Sequence, residues 1–192
     1  MKLFPEIPDY ILQSDKENRK MSKVLTVYYS RKGENYFGGT IRSIEKGNTE
    51  RAAEFIQKAV GGDLFEIDTV REYAKDYHKC TEEAAAEKKS NARPALKKLP
   101  ESIDEYDVIF LGFPNWWGTA PMPVFTFLDA FDFTGRTIAP FCTNEGSGLG
   151  SSERDIKKEC PGAEVVSGLS IRGSDAAKSE TKAAAWAKQV LK

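Results

Sequence analysis

From Lys23 onward, hydrophobic and polar positions alternate between two kinds of segment. Short apolar runs, Val24 to Tyr29, Leu64 to Ile67, Val108 to Phe113, Thr137 to Cys142 and Ala163 to Leu169, have strand length and are rich in Val, Ile, Tyr and Phe. Several are continuously apolar, as expected of a sheet covered on both faces. Between them the spacing turns helical. Ala52, Phe55, Ile56, Ala59 and Val60 lie on one helix face that Asn48 or Thr49 can cap and Gly61-Gly62 ends. Residues 76–90 run out toward Pro94; Pro121 and Pro123 open a helix carrying Val124, Phe125, Leu128 and Phe131; Ser152 to Asp155 matches a capping box; Ala183, Trp186, Ala187 and Val190 mark a C-terminal helix. Five strands alternating with five helices predict right-handed βαβ units and an α/β three-layer α-β-α sandwich around a doubly wound, five-stranded parallel sheet. Residues 1–21 have no clear period and read as an N-terminal extension; residues 22–192 read as one domain.

Composition narrows the class. With 28 Lys and Arg against 29 Asp and Glu, the 192-residue chain carries a formal charge of -1, so it lacks the basic field that nucleic-acid or anionic-membrane partners require. No apolar run approaches the roughly 20 residues of a membrane span. Pro5, Glu6, Pro8 and Asp9 break the N-terminus as a secretory signal. Cys80, Cys142 and Cys160 are odd in number and widely spaced, which supports neither a disulfide framework nor a metal site and fits a reducing, cytoplasmic setting.

In doubly wound sheets ligands bind beyond the carboxyl ends of the strands, so three loops carry the candidate chemistry. Tyr29-Ser30-Arg31 ends the first strand and Gly47-Asn48-Thr49-Glu50 opens the first helix. Hydroxyls beside unpaired N–H groups and a positive dipole end make an anion site, although a strand end and an ordinary cap read the same residues more plainly. Some fifteen residues, Lys32 to Lys46, separate the halves, against about two to six in a usual βα loop, and this stretch has neither a P-loop nor a GxGxxG pattern. Tyr36 and Phe37 within it either cover a ligand or pack the insertion on its own body. The third strand runs into Pro114-Asn115-Trp116-Trp117-Gly118-Thr119. Neighbouring side chains of an extended segment point opposite ways, so at least one Trp should face the crevice and stack on a planar ring. The fourth strand ends Thr143-Asn144-Glu145-Gly146-Ser147-Gly148, whose glycines let backbone approach a ligand edge closely.

The ordered set Tyr29-Ser30, Gly47-Asn48-Thr49, Pro114-Asn115-Trp116-Trp117-Gly118 and Thr143 to Gly148 resembles the flavodoxin-like family of FMN proteins, in particular a bacterial subgroup with a Trp-Trp-Gly loop; Tyr73, Asp76-Tyr77 and Asn91-Ala92-Arg93-Pro94 add to the likeness. The resemblance implies strand order 2-1-3-4-5, noncovalent FMN and electron transfer through the flavin. By the same resemblance Ser30, Asn48 and Thr49, with Arg31 beside them, bind the phosphate. Asn115 to Thr119 and Pro114 line the isoalloxazine, with the backbone near Gly118 beside its N5, while Thr143, Asn144, Glu145, Gly146, Ser147 and Gly148 border the opposite edge. The chain departs from the family by the 32–46 insertion and the N-terminal extension, and its fifth strand reads as uninterrupted.

Two roles fit this reading. One is an electron carrier docking to a redox partner protein, for which the acids Glu101, Asp104, Glu105, Asp107, Asp129 and Asp132 offer a local acidic flank. The other is an NAD(P)H-dependent FMN or quinone reductase passing hydride to a small-molecule acceptor, an oxidoreductase that can pair as a homodimer across its flavin sites. A flavin-free receiver module shares the topology but needs an acidic pair after the first strand and an Asp ending the third, where this chain has Tyr29-Ser30 and Pro114-Asn115. His78 reads as a surface helix residue and Cys142 as a small core residue.

Overall fold

A computed structural model describes residues 22–192; the extension of residues 1–21 lies outside the described residues. A central parallel sheet contains β1 (Val24–Tyr28), β4 (Asp63–Glu66), β5 (Val108–Pro114), β6 (Thr137–Asn144), β7 (Glu164–Val165) and β8 (Leu169–Arg172). Its order is β4-β1-β5-β6, with β7 and β8 both pairing with β6 at the far edge. In terms of the five expected strands this is 2-1-3-4-5. Alternation of side chains along each strand splits the core in two. Leu25, Val27, Ile109, Leu111 and Phe113 meet α3 (Met122–Asp129) and α4 (Ser152–Glu159), while Val24, Tyr28, Val108, Phe110 and Phe141 meet α1 (Asn48–Val60) and α5 (Glu180–Val190). Both faces are therefore covered, which is why the strands read as apolar runs rather than alternating ones. The remaining helix, α2 (Tyr77–Ser90), starts at Asp76, whose carboxylate accepts from Lys79 N–H at 2.8 Å, and ends at Asn91 in the left-handed region, three residues before Pro94.

Three local expectations are corrected. The fifth strand is two short strands rather than one from Ala163 to Leu169, because Pro140 stands opposite the gap. Ile138 accepts from Val166 N–H, so it faces this edge, and Pro140, two residues on, faces the same way with no N–H to give. The Ser152 to Asp155 capping box does not form. Ser151 precedes the helix and its hydroxyl donates to Asp155 Oδ2 at 2.5 Å, while the Ser152 hydroxyl donates to Leu149 O. Neither Asn48 nor Thr49 caps α1: Gly47 holds the capping position and Ser30 Oγ accepts from Glu50 N–H at 3.0 Å. Finally, the 32–46 stretch, which showed no element in the sequence, forms an antiparallel hairpin, β2 (Gly33–Phe37) with β3 (Thr40–Ile44), in a sheet separate from the main one.

Candidate functional site

The carboxyl ends of β1, β5 and β6 open onto one side of the sheet, where the hairpin projects. The two halves of the first loop close up at Gly47. Its backbone, φ -64 and ψ 151, is available to any residue, but a Cβ there would lie 2.0 Å from Ser30 Oγ and 2.9 Å from Arg31 O. The absent side chain lets the end of β1 lie against the N-terminus of α1, so the hairpin leaves and returns without separating Ser30 from the helix. With Glu50 N–H taken by Ser30, the N–H groups of Asn48 and Thr49 are those the first turn leaves without intrahelical acceptors. Thr49, 1% exposed, shares a hydroxyl hydrogen bond of 2.8 Å with Thr143, tying the helix to the end of β6.

Beyond this turn lies a cavity of about 270 Å³. It is lined by Arg31, Asn48 and Thr49 from the first loop, Pro114, Asn115 and Trp116 from the second, and Thr143, Asn144, Glu145 and Ser147 from the third. The hairpin adds Asn35 and Tyr36, α2 adds Tyr77, and Gly173 adds its backbone beside Asn48 and Glu145. All three sequence-predicted loops thus meet at one cavity. Ser30, Gly118, Thr119, Gly146 and Gly148 do not line it, and Trp117 lines a second cavity instead.

Gly118, Thr119, Gly146 and Gly148 hold the loops behind that lining, as Ser30 holds the start of α1. Asn115 joins the Trp loop to the glycine loop, its Oδ1 accepting from Gly118 N–H at 2.9 Å and its Nδ2 donating to Gly148 O at 2.8 Å. Asn144 Oδ1 accepts from the N–H groups of Gly146 and Gly148, both at 2.9 Å, which folds the glycine loop around one side chain. Gly118 O accepts from Ser151 N–H, so both polar groups of this residue are occupied. Thr119 donates to Asp155 Oδ2 at 2.8 Å. Burial pushes the Asp155 carboxyl up, but the Ser151 and Thr119 hydroxyls and Arg154 outweigh it and hold the pKa below the usual carboxylate range.

The two tryptophans separate, though by a turn at Trp117 rather than by the alternation of an extended strand, which ends at Pro114. Trp116 faces the site, held edge-on against Tyr29 (5.4 Å, 82°) and Tyr73 (5.0 Å, 83°). Burial drives the phenol pKa values of Tyr29 and Tyr73 upward, so both remain neutral walls. Trp117 is 55% exposed, with its indole N–H donating to Thr81 O at 2.9 Å. Trp116 and Thr119 exchange backbone hydrogen bonds around Trp117 and Gly118, at φ 55 and 83. This two-residue turn, with both central φ positive, normally takes Asn-Gly, and a bulky residue in its first position is strained.

Arg31 is held by three backbone carbonyls, Glu34 O at 2.8 Å, Ala74 O at 3.0 Å and Lys75 O at 2.8 Å, and makes no salt bridge among the described residues. It fastens the hairpin to the loop before α2 while its guanidinium borders both cavities. Glu145 brings a carboxylate, 12% exposed at its side chain, to the cavity beside Asn48, 3.5 Å from Arg172 Nε. Tyr36 and Tyr77 stack on one another at 6.3 Å and both line the cavity, whereas Phe37 lies outside its lining. Sequence reasoning missed Asn35 and Gly173. The ligand rule for strand ends, applied to the fifth strand as well, would have reached Gly173; Asn35 carries no signal apart from its place in the insertion. His78 is exposed on α2. Burial pushes the Cys142 thiol up to about 12, which makes it a neutral core side chain.

Of the acids in residues 101–135, Glu101 and Asp132 make no salt bridge among the described residues, and the other four have partners. Asp104 pairs with Arg136, Glu105 with Lys23 and Asp129 with Arg93, and Asp107 Oδ2 accepts from Lys23 N–H. No described helix is long and apolar enough to cross a membrane.

Comparison with known proteins places these features. The flavodoxin family model matches residues 41–190. Flavodoxin 1 of Escherichia coli K12 is 27% identical over 101 residues, covering 50% of this chain and 43% of the relative, so the match spans less than half the length of that curated relative. Among solved structures, a candidate flavoprotein from Bacteroides uniformis is 31% identical with a TM-score of 0.71, covering 88% of this chain and 99% of the other. One from Bacteroides eggerthii is 31% identical with a TM-score of 0.72, covering 89% and 99%. A Lactobacillus acidophilus flavoprotein solved in complex with FMN is 21% identical with a TM-score of 0.58, covers 82% and 97%, and shares the fold.

Proposed function

The chain belongs to the flavodoxin family, and from that premise we propose that it is a flavoprotein that binds FMN noncovalently at the three-loop cavity and acts by electron transfer. The observation that carries the reading is the cavity itself, where free helix-terminal N–H groups and a fixed indole are brought together by loops from three strands. The residues suit the cofactor chemically. A phosphate dianion matches the N-terminus of α1, with the Asn48 amide and the Ser30 and Thr49 hydroxyls as further donors, and the Gly47 cradle keeps Ser30 in reach. Trp116 offers a planar apolar wall, and the 144–148 loop, wrapped on Asn144, offers a preset polar edge.

FMN supplies the redox chemistry when bound, and the protein supplies position and electrostatics. Asn48, Thr49 and Ser30 anchor the charged end, while Trp116, Asn115 and the glycine loop fix the ring orientation. The Tyr36–Tyr77 lid limits water. None of these steps calls for a nucleophile or a general base from the chain.

The test is to purify the protein, record its visible spectrum and titrate the apoprotein with FMN by flavin fluorescence. Wild type is expected to bind. The Ser30→Ala, Thr49→Ala double variant is expected to bind at least tenfold more weakly, about 1.4 kcal/mol. No binding by wild type overturns the function, and unchanged affinity in the double variant misplaces the phosphate. Anaerobic addition of NADH or NADPH, with dithionite as control, then distinguishes the two roles. Prompt bleaching by a pyridine nucleotide marks a reductase, and bleaching by dithionite alone marks a carrier.

A further inference from the structure

Arg93 lines neither cavity, and the flavin reading leaves it without a role. Its side chain is 26% exposed, yet all three guanidinium nitrogens are engaged. Nη1 donates to Asn91 Oδ1 at 2.9 Å and to Asn91 O at 3.2 Å, at the left-handed end of α2. Nε donates to Oδ2 of Asp129, the last residue of α3, and Nη2 to Oε1 of Glu159, the last residue of α4, both at 2.5 Å. The guanidinium also lies over the Phe125 ring of α3, 5.7 Å from its centroid. One planar fork thus joins the carboxyl ends of three helices, which the point charge of a lysine could not do.

Two of those helices also hold the Trp loop. On α2, Thr81 O accepts from the Trp117 indole N–H at 2.9 Å, and Lys88, seven residues on and so on the same helix face, donates to Trp117 O. On α4, Asp155 Oδ2 accepts from the Thr119 hydroxyl, and Glu159, four residues on, lies one turn further along the same face. The contacts close into a ring: from Trp117 along α2 to Arg93, across to Glu159, back one turn to Asp155, and through Thr119 to the Trp loop again. A closed ring resists distortions that the same contacts in an open series would allow, because moving the loop must either break a link or shift a helix.

We infer that Arg93 is a positioning residue for the flavin: by closing this ring it holds the Trp loop, and with it Asn115 and Trp116, where they wall the first cavity. The inference rests on the flavin reading of that cavity and adds to it a residue outside its lining. A cluster of this kind could also do no more than tie helix ends together. The two roles differ in what the loss of Arg93 does to the Trp loop of a protein that stays folded.

The test is Arg93→Met in the full chain, with Trp186→Phe in every protein compared so that Trp116 and Trp117 are the only indoles. Where urea titration shows the protein folded, two readouts are taken: indole emission and its quenching by acrylamide in the apoprotein, and FMN affinity by flavin fluorescence. Arg93→Met is expected to shift the emission, raise the quenching and weaken FMN binding by about two- to thirtyfold. Glu159→Gln keeps an oxygen acceptor for Nη2 and is expected to match wild type in both readouts. In Thr119→Val, where the ring is already open, replacing Arg93 is expected to change FMN affinity far less. Lys58→Met removes an exposed ion pair with Glu180 between α1 and α5 and is expected to move neither readout. An Arg93→Met protein with a lower urea midpoint but wild-type emission and FMN affinity overturns the inference, as does an effect of equal size in the Thr119→Val background or in Lys58→Met. Should Arg93→Met fail to fold, Glu159→Ala, which removes one arm of the clamp, takes its place, and unchanged emission overturns the inference there. If wild type binds no FMN, the flavin reading and the cofactor role of Arg93 fall together, whereas the apoprotein emission separately upholds or overturns its hold on the Trp loop.

Discussion

Substituting Gly47 by Ala isolates the contact that joins the two halves of the first loop. At φ -64 and ψ 151 the backbone accepts alanine, so the cost arises from space and not from conformation. The new Cβ would stand 2.0 Å from Ser30 Oγ, a distance no relaxed structure retains. Ser30 must rotate away or the helix must withdraw, and either movement breaks the 3.0 Å bond from Glu50 N–H. Losing a side-chain cap costs about 1 kcal/mol, and forcing a methyl into a packed site costs a further 1–3 kcal/mol or so. Gly47→Ala is therefore expected to lower stability by about 2–4 kcal/mol, a large part of the roughly 5–15 kcal/mol of an ordinary domain.

Urea unfolding of the apoprotein measures this without interference from bound flavin, which would stabilise the native state by mass action. The decisive comparison is a double-mutant cycle with Ser30→Ala. Removing Oγ removes the nearest clash and leaves Ser30 Cβ at 3.1 Å and Arg31 O at 2.9 Å. The double variant is then expected to be more stable than the sum of the single changes by about 1 kcal/mol or more. If Gly47→Ala falls within about 0.5 kcal/mol of wild type, as an unconstrained surface change would, or if the two changes add, the argument for a close approach at Gly47 is refuted.

Three further outcomes are expected. Because the folded-state pKa of Asp155 is depressed, its contribution is present above the unfolded carboxylate value and is lost as pH falls through the folded one; the wild-type stability profile should steepen on that acid limb, and Asp155→Asn should flatten it in urea titrations at successive pH values. At position 117, Asn tolerates φ 55 and a β-branched residue does not, so Trp117→Asn should exceed Trp117→Val in apoprotein stability by about 1–2 kcal/mol, and equal midpoints would remove the strain from this turn. Glu145 places negative charge beside the anchor for a phosphate, so Glu145→Gln should tighten FMN binding several-fold at low salt and less at high salt; weaker binding would show the carboxylate to be a ligand contact instead.

The layered fold was legible because burial on both faces leaves its mark directly in the chain. Val108 to Phe113 is apolar throughout, since Ile109, Leu111 and Phe113 serve one core while Val108 and Phe110 serve the other. The candidate site was legible to the extent that strand ends were. Asn48, Thr49, Asn115, Trp116, Thr143, Asn144 and Glu145 meet because three parallel strands finish on one side of the sheet. What the sequence hid were contacts made across long separations. Ser30 caps a helix twenty residues away, a partnership that no local pattern around Asn48 reports. The break in the fifth strand is dictated by Pro140 on the neighbouring strand, while the broken segment itself, Ala163 to Leu169, reads as continuous. The hairpin of residues 33–44 was hidden differently: its β3 residues are largely exposed, so burial impresses no period on them.

Contacts across long separations also hold the Trp loop, and their energies explain why it keeps an unfavourable shape. A left-handed Trp117 costs about 1–2 kcal/mol. Against this stand the Gly118 N–H bond to Asn115 Oδ1, the Trp117 carbonyl's bond from Lys88 Nζ, the indole bond to Thr81 O and the Ser151 N–H bond to Gly118 O. At about 0.5–1.5 kcal/mol for each neutral bond, the set exceeds the strain by a small margin, less than its sum because Lys88 and Trp117 are exposed. The margin is spread over four surrounding elements: the end of β5, helix α2, the glycine loop and the start of α4. A sequence in which Trp117 opposed the turn and nothing held it would relax the loop and swing the indole away from α2. Of the neighbours that oppose this relaxation, Asn115 and Thr81 line one or both cavities and Lys88 binds Trp117, which lines the second. The strain is therefore a measure of how firmly the surrounding elements fix Trp117 and, next to it, Trp116, which borders both cavities.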